Sequence, residues 1–135
     1  MDISTECVDK NLSQLIKAAS DYGNFIRIDM ENSSTTDATI DIYKKFKKKC
    51  DQIGIVFQAY LFRTENDIKA LIDETGLNIR ICKGIYSESQ DVAIQDRQGI
   101  NNNFHEGITW KSLIMGLKKS IQMKYQTFAR RNCFT

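Results

Sequence analysis

A repeated order of predicted elements constrains this chain most strongly: a helix, a glycine and an apolar strand follow one another three times. The first helix is predicted from about Thr5 to Tyr22, where apolar residues recur every three or four positions. Gly23 follows it, as glycine commonly does just past a helix end. Strands that alternate with helices in this way are typical of α/β units with a parallel sheet.

The three strands are predicted from their apolar runs. They are Phe25–Met30, Ile55–Leu61 and Asn78–Cys82. The second helix is predicted to begin at a capping box of Ser34 and Asp37, and the third at a capping box over Thr64–Asp67. Gly54 precedes the second strand, and Gly76 closes the third helix.

Basic residues crowd the end of the second helix. They are Lys44, Lys45, Lys47, Lys48 and Lys49. The helix dipole favours cations there, so a solvated helix end is the preferred interpretation over a phosphate or membrane patch. A basic amphipathic helix is also predicted from Ile108 to about Phe128, and we favour a packing role for it over a membrane-surface role.

Composition limits the class of protein. The chain has 135 residues, of which 41% are hydrophobic, enough for one domain with a packed core. A net charge of +2 argues against nucleic acid as the main partner. The four cysteines are widely spaced, which favours neither zinc nor a disulfide framework and fits a reducing compartment. We expect a cytoplasmic protein, with at most peripheral contact with a membrane.

Each predicted strand brings polar side chains to or near its carboxyl end, where parallel α/β sheets bind ligands. They are Asp29 and Glu31 on the first strand, Gln58 and Tyr60 on the second, and Arg80, Lys83 and Tyr86 on the third. The amide of Gln58 can donate and accept hydrogen bonds, which suits the edge of a heterocycle. Arg80 can stabilise negative charge that develops on an acceptor. A metal site is not expected, because His105 is the only histidine and lies outside the strands.

Three segments resemble the proline dehydrogenase family, in the family's order and with family-like spacing. They are Ile26–Ser33, Phe57–Thr64 and Arg80–Tyr86, with further likeness at Asp91–Ala93 and Asn103–Phe104. The resemblance covers about Asn11 to Glu106. It implies an α/β fold, a partial (βα)₈ TIM barrel of three parallel strands with flanking helices. Residues 1–106 would form this domain, and residues 107–135 a basic helical tail that does not match the family.

The resemblance implies FAD-dependent oxidation of L-proline to 1-pyrroline-5-carboxylate, with a membrane quinone as the suggested electron acceptor. Asp29 and Arg80 match the catalytic positions, and Tyr86 matches a tyrosine of the proline pocket. The flavin-contacting positions are matched by Met30, Gln58, Cys82, Lys83 and Gly84.

The chain also departs from the family. Asn32 stands where an acid is usual, Cys82 where valine is usual, and Ile85 where alanine is usual. The larger Ile85 would crowd the mouth of the pocket. The family's upstream lysine strand and its final arginine helix lie outside this match. We therefore expect the chain to be a truncated form that is inactive or nearly so, binds FAD weakly and self-associates through open sheet edges.

Two other function classes stay open. One is a non-catalytic α/β module that keeps a flavin or anion site without turnover. The other is a lyase or aldolase in which Lys83 forms a Schiff base at a strand end. A cofactor contact is the favoured role for Lys83. Flavin absorbance of the purified protein separates the flavin readings from the lyase.

Overall fold

The computed structural model describes residues 5–71 and 77–106, which form a parallel sheet with helices packed against it. In chain order the elements are α1 (Thr5–Asp21), β1 (Ile26–Ile28), a 3-10 turn (Ser33–Thr35), α2 (Thr36–Lys47), β2 (Ile53–Gln58), α3 (Thr64–Leu71) and β3 (Ile79–Cys82). Residues 97–106 are also helical. The predicted helix end at Gly76 and the predicted helix at 108–128 lie outside the described residues.

The sheet has the strand order β1-β2-β3, and both neighbouring pairs are parallel. This confirms the predicted α/β architecture of three parallel strands with flanking helices. The central strand β2 is buried along its whole length, and α2 and α3 pack against it. Tyr43 of α2 and Leu71 of α3 are fully buried and share one apolar cluster with β2. Removing this apolar surface from water is the main force that holds the helices to the sheet.

The end of α1 follows the predicted glycine pattern. Gly23 has φ +65°, and its N–H donates to the carbonyl of Ser20 at 3.0 Å. The N–H of Asn24 donates to the carbonyl of Ala19 at 2.7 Å. These two bonds make a Schellman motif, which places a residue with positive φ just past the helix and so favours glycine there.

Gly54 lies inside β2 rather than before it, which corrects the prediction. A Cβ atom on Gly54 would lie 2.8 Å from Cζ of Phe25 and 2.7 Å from the carbonyl oxygen of Asn78. The missing side chain therefore lets the Phe25 ring and a neighbouring backbone approach the strand. Phe25 itself precedes β1, so that strand is shorter than predicted.

The predicted second strand is wrong at both ends, because β2 begins at Ile53 and ends at Gln58. The chain turns directly after the strand: the N–H of Leu61 donates to the carbonyl of Gln58 at 3.2 Å. The hydroxyl of Thr64 donates to the same carbonyl at 2.6 Å. Tyr60 consequently lies in the turn beyond β2, where a buried apolar cluster holds it.

Both predicted capping boxes are wrong. Thr35 precedes α2 without a side-chain cap, and Asp37 pairs with Arg63 instead. At α3 the N–H of Asp67 bonds to the carbonyl of Arg63 at 3.0 Å, while the Asp67 carboxylate accepts from Arg63 Nε at 2.7 Å. Arg63 thus joins the first turns of α2 and α3 through the carboxylates of Asp37 and Asp67, the two acids that the predicted capping boxes would have used.

Lys47 corrects the view of the basic helix end as wholly solvated. The residue is 6% exposed, and its ammonium donates to the carbonyl of Asp51 at 3.1 Å and to the Asp51 carboxylate at 3.4 Å. A buried cation needs such partners, because taking it out of water is costly. Lys47 is therefore a structural residue, whereas Lys45 lies at the surface and pairs with Asp9 of α1.

Candidate functional site

The parallel register brings several predicted site residues to one face near the carboxyl ends of the strands. Gln58 of β2 lies level with Cys82 of β3, and Arg80 stands two residues before Cys82. Side chains alternate along a strand, so these three share a face. Arg27 of β1 lies level with Gly54 and belongs to the same face, nearer the amino ends of the strands.

Asp29 and Arg80 form an ion pair that joins the two outer strands. Nη2 of Arg80 donates to the two carboxylate oxygens of Asp29 at 2.9 Å and 3.0 Å. The Arg80 side chain is 25% exposed and that of Asp29 is 68% exposed, so the pair lies at the rim of the sheet. Nε of Arg80 is buried and has no acceptor within residues 5–71 and 77–106. Nε–H of Arg80 is therefore a buried donor that the ion pair does not use.

Arg27 places a second guanidinium on this face, and the sequence analysis assigned it no role. Burial lowers the pKa of Arg27, Arg80 lowers it further, and Asp29 raises it. The Arg27 guanidinium lies 5.1 Å from the centre of the Phe25 ring. Two cations therefore stand near one carboxylate, which favours an anionic ligand. The alternation of Arg27 with Asp29 along the chain is the signal that could have identified it.

Gln58 ties the end of β2 to the segment that follows β1. Its side-chain Nε2 donates to the carbonyl of Met30 at 3.2 Å and to the carbonyl of Glu31 at 2.6 Å. The residue is 2% exposed, and Met30 is also buried. Oε1 of Gln58 is buried and accepts no hydrogen bond from the described part of the chain. The amide is therefore fixed in orientation and leaves one acceptor without a donor.

Gly84 adopts φ +111°, a backbone conformation that residues with a side chain rarely take. A Cβ atom there would lie 2.2 Å from Cδ1 of Tyr60, so the glycine backbone rests directly against that ring. Burial raises the pKa of Tyr60 to about 12, with smaller contributions from Glu88, Cys82 and Tyr86. The ring of Tyr60, which belongs to the turn after β2, thus packs against the backbone of the turn that follows β3.

The side chains of Cys82 and Lys83 lie in different environments. Burial raises the pKa of the Cys82 thiol, and Sγ lies 3.6 Å from the carbonyl of Phe57. The Lys83 ammonium donates to Oδ1 of Asn101 at 2.6 Å and lies 5.8 Å from the centre of the Phe104 ring. The lysine is thus held by the helix at 97–106, through Asn101 and Phe104.

Two contacts join the segment after β3 to the segment after β1. Tyr86 donates a hydrogen bond to the carboxylate of Glu31, and this bond raises the pKa of Tyr86. Glu88 accepts from the backbone N–H of Ser33 at 2.6 Å and from its hydroxyl at 2.8 Å. Glu88 could not be identified from the sequence, because a single acid in a polar stretch resembles an ordinary solvated residue.

The structure thus brings Asp29 together with Arg80, and Gln58 together with Met30, at one end of the sheet. Tyr86 reaches the same end through Glu31. The catalytic and binding roles of these residues stay predictions. Within the described ranges, no group of three or more His, Cys, Asp or Glu side chains could hold a metal ion. No helix in those ranges is long and apolar enough to cross a membrane.

Comparison with known proteins identifies a matching family model and several related sequences. The family model of proline dehydrogenase matches residues 1–109. Proline dehydrogenase 2 of Bacillus subtilis is 35% identical over 116 residues, which cover 86% of this chain and 38% of that protein. Proline dehydrogenase 1 of the same species is 36% identical over 104 residues, or 77% of this chain and 34% of that protein. Proline dehydrogenase of Deinococcus radiodurans is 33% identical over 96 residues, or 70% of this chain and 31% of that protein.

The chain therefore spans less than two fifths of the length of these relatives, with 38% the largest share among them. The family match nevertheless includes all three strands and every predicted site residue. The chain therefore belongs to the proline dehydrogenase family.

Proposed function

We propose that this chain serves the FAD-dependent oxidation of L-proline to 1-pyrroline-5-carboxylate. The observation that carries the proposal is the ion pair of Asp29 and Arg80 at the carboxyl ends of parallel strands. Family membership supports it, because the named relatives are proline dehydrogenases. The same end of the sheet carries an oriented amide, Gln58, beside the ion pair.

The donors and acceptors on this face fit a flavin. An isoalloxazine ring has both N–H donors and ring nitrogen or carbonyl acceptors along its edge. Oε1 of Gln58 is an acceptor without a donor, and Nε of Arg80 is a donor without an acceptor, among the residues described. A flavin edge offers the partner that each lacks. We propose that Met30, Cys82, Lys83 and Gly84 complete the cofactor contacts, as their match to the family suggests.

In this proposal each side chain has a definite task. A bound flavin supplies the acceptor for the hydride that leaves the carbon beside the proline nitrogen. Arg80 provides a positive charge that stabilises negative charge developing at the acceptor. Asp29 holds the guanidinium of Arg80 in place through its two hydrogen bonds. Tyr86 lines the proline pocket, and its bond to Glu31 fixes the direction of the phenol.

The proposal extends to partners and location. We propose a membrane quinone as the final electron acceptor, reached by peripheral contact from the cytoplasm. β1 and β3 are the outer strands of the described sheet, and their free edges are suited to pairing with another strand. We therefore expect the 135-residue polypeptide to self-associate at high concentration. We also expect it to be inactive, or nearly so, on its own.

The test is an absorbance spectrum of the purified polypeptide with FAD, followed by anaerobic addition of L-proline. We expect bound flavin and a slow, proline-dependent loss of the absorbance of the oxidised flavin. D-proline is the matched control and should leave the spectrum unchanged. Dye reduction as fast as that of a full-length relative would contradict the expectation of slow turnover. Failure of the folded chain to bind FAD would overturn the cofactor assignment.

A non-catalytic flavin- or anion-binding module is the alternative, and the two guanidiniums of Arg27 and Arg80 favour it. Such a module binds FAD or a simple anion through the same face but transfers no hydride. The same experiment separates the two functions. FAD that binds and stays oxidised after prolonged exposure to L-proline supports the module. Proline-dependent loss of the oxidised-flavin absorbance supports the dehydrogenase chemistry.

A further inference from the structure

A clasp of three hydrogen bonds crosses the carboxyl end of the sheet. One side consists of Glu31 and Ser33, which follow β1, and the other consists of Tyr86 and Glu88, which follow β3. Glu88 accepts from the N–H and hydroxyl of Ser33 at 2.6 Å and 2.8 Å, and Tyr86 donates to Glu31. Each contact joins residues 55 positions apart in the chain. The two segments therefore hold each other over the end of β2.

Glu88 replaces a local helix cap. Asn32 precedes the 3-10 turn that leads into α2 and makes no side-chain cap hydrogen bond. The Glu88 carboxylate accepts a hydrogen bond from the N–H of Ser33 instead. Ser33 lies at the amino-terminal end of the helical turn, where partial positive charge favours an anion. Two bonds to one carboxylate fix both distance and orientation, and bonds to an ionised group are the stronger kind. The cap thus doubles as a long-range tether.

The clasp adjoins the two segments that carry Asp29 and Tyr86. Asp29 stands four positions before Ser33, so a tether at Ser33 limits how far the Asp29 segment can move. Tyr86 stands two positions before Glu88 and is limited in the same way. The Glu88 charge also acts on Tyr60, the buried ring beneath the turn after β3. Glu88 is therefore only partly exposed and is bonded to residues next to the candidate site.

We propose that Glu88 is a positioning residue, whose carboxylate holds the segment carrying Asp29 and Glu31 at a fixed distance from Tyr86. The relevance of this positioning to proline oxidation rests on the proposed function, because the roles of Asp29 and Tyr86 in that reaction are themselves proposed. The clasp itself is independent of any ligand. Glu88 acts through other residues, so its loss should move groups that it does not contact.

The test uses the ligand-free chain with ¹³C-labelled tyrosine rings, and follows Tyr86 by NMR as the pH is raised. Tyr86→Phe assigns the signal. In the unaltered chain Tyr86 titrates above its ordinary pKa of 10.0, because it donates to Glu31. In Glu88→Gln and in Ser33→Ala the tether weakens, so we expect the Tyr86 pKa to move toward 10.0. Asp91→Asn is the control, since Asp91 is an exposed acid of the same segment.

Ser33→Ala makes the result clear-cut, because it changes no charge and keeps the Ser33 N–H. The charges that raise the Tyr86 pKa are those of Glu31 and Asp29, and neither variant alters them. A lower Tyr86 pKa in Ser33→Ala therefore reports that the Glu31 segment has moved relative to Tyr86. An unchanged Tyr86 titration in Ser33→Ala and in folded Glu88→Gln would overturn the proposal and reduce Glu88 to a local cap. That outcome is independent of FAD binding. A shift of Tyr86 in a chain that binds no FAD would instead overturn the proposed function alone.

Discussion

Replacing Gln58 by methionine tests how firmly the end of β2 is tied to the segment after β1. Gln58 is 2% exposed, and its Nε2 donates to the carbonyls of Met30 at 3.2 Å and Glu31 at 2.6 Å. Methionine has a similar length and shape but donates no hydrogen bond. Gln58→Met therefore removes both bonds without opening a large cavity.

The expected loss of stability depends on how deeply each of the two carbonyls is buried once its donor has been removed. The Met30 carbonyl lies in the core, and leaving such a group unpaired costs about 1–3 kcal/mol. The Glu31 carbonyl is partly buried and can turn to water, so its loss adds only about 0–1 kcal/mol. Burying the methionine side chain returns roughly 1 kcal/mol. These contributions sum to a decrease of about 0–3 kcal/mol in the free energy of unfolding, and we expect a value near the middle of that range, about 1–2 kcal/mol.

Urea unfolding followed by far-ultraviolet circular dichroism measures this change. Gln52→Met is the matched control, because Gln52 is an exposed glutamine just before β2. The control should lie within about 0.5 kcal/mol of the unaltered chain. The reasoning is refuted if Gln58→Met is also within that range, since the two hydrogen bonds would then contribute nothing that methionine cannot replace.

Two further substitutions, at Gly84 and Tyr60, probe the turn after β3, and a third, at Gly23 after α1, serves as a comparison. Gly84→Ala should cost more than the roughly 1–3 kcal/mol of positive-φ strain, because a Cβ there meets the Tyr60 ring at 2.2 Å. Gly23→Ala, with φ +65° and open space, should cost about 1 kcal/mol, and urea unfolding that ranks the two equally would contradict this. Tyr60→Phe removes a phenol whose pKa is raised to about 12. The native state holds that proton more tightly than the unfolded state. Stability of the unaltered chain should thus fall, relative to the variant, as pH rises from 10.0 to about 12; parallel pH profiles of unfolding would contradict this.

The sequence predicted the three parallel strands because their signals are local: an apolar run after a helix and a glycine. It predicted the ends of β2 wrongly because tertiary contacts set them. The turn at Gln58 depends on the hydroxyl of Thr64 and on hydrogen bonds to a distant segment, in which the N–H of Ile94 donates to the carbonyl of Tyr60 at 2.8 Å. The capping box at Asp37 failed for the same reason, since Arg63 lies 26 positions away and takes its carboxylate.

The candidate site divides in the same way. The approach of Asp29 to Arg80 was predictable, because parallel strands bring their carboxyl ends to one edge whatever their separation in sequence. The clasp of Glu88 on Ser33 was not predictable, because neither residue belongs to a strand or to a short motif. The two residues are 55 positions apart, and their approach depends on the course of the turn after Gly84, whose backbone lies against the Tyr60 ring.

The affinity of the 135-residue polypeptide for FAD tests the central claim most directly. The account predicts that FAD fluorescence is quenched on binding, and that Arg80→Gln weakens the affinity at least about tenfold, since a hydrogen bond from a charged donor contributes about 1.5–3 kcal/mol. Arg97→Gln is the control, because Arg97 is exposed and lies outside the strands, and it should bind FAD like the unaltered chain. Absence of FAD binding by the folded chain, or equal affinity in Arg80→Gln, would contradict the account.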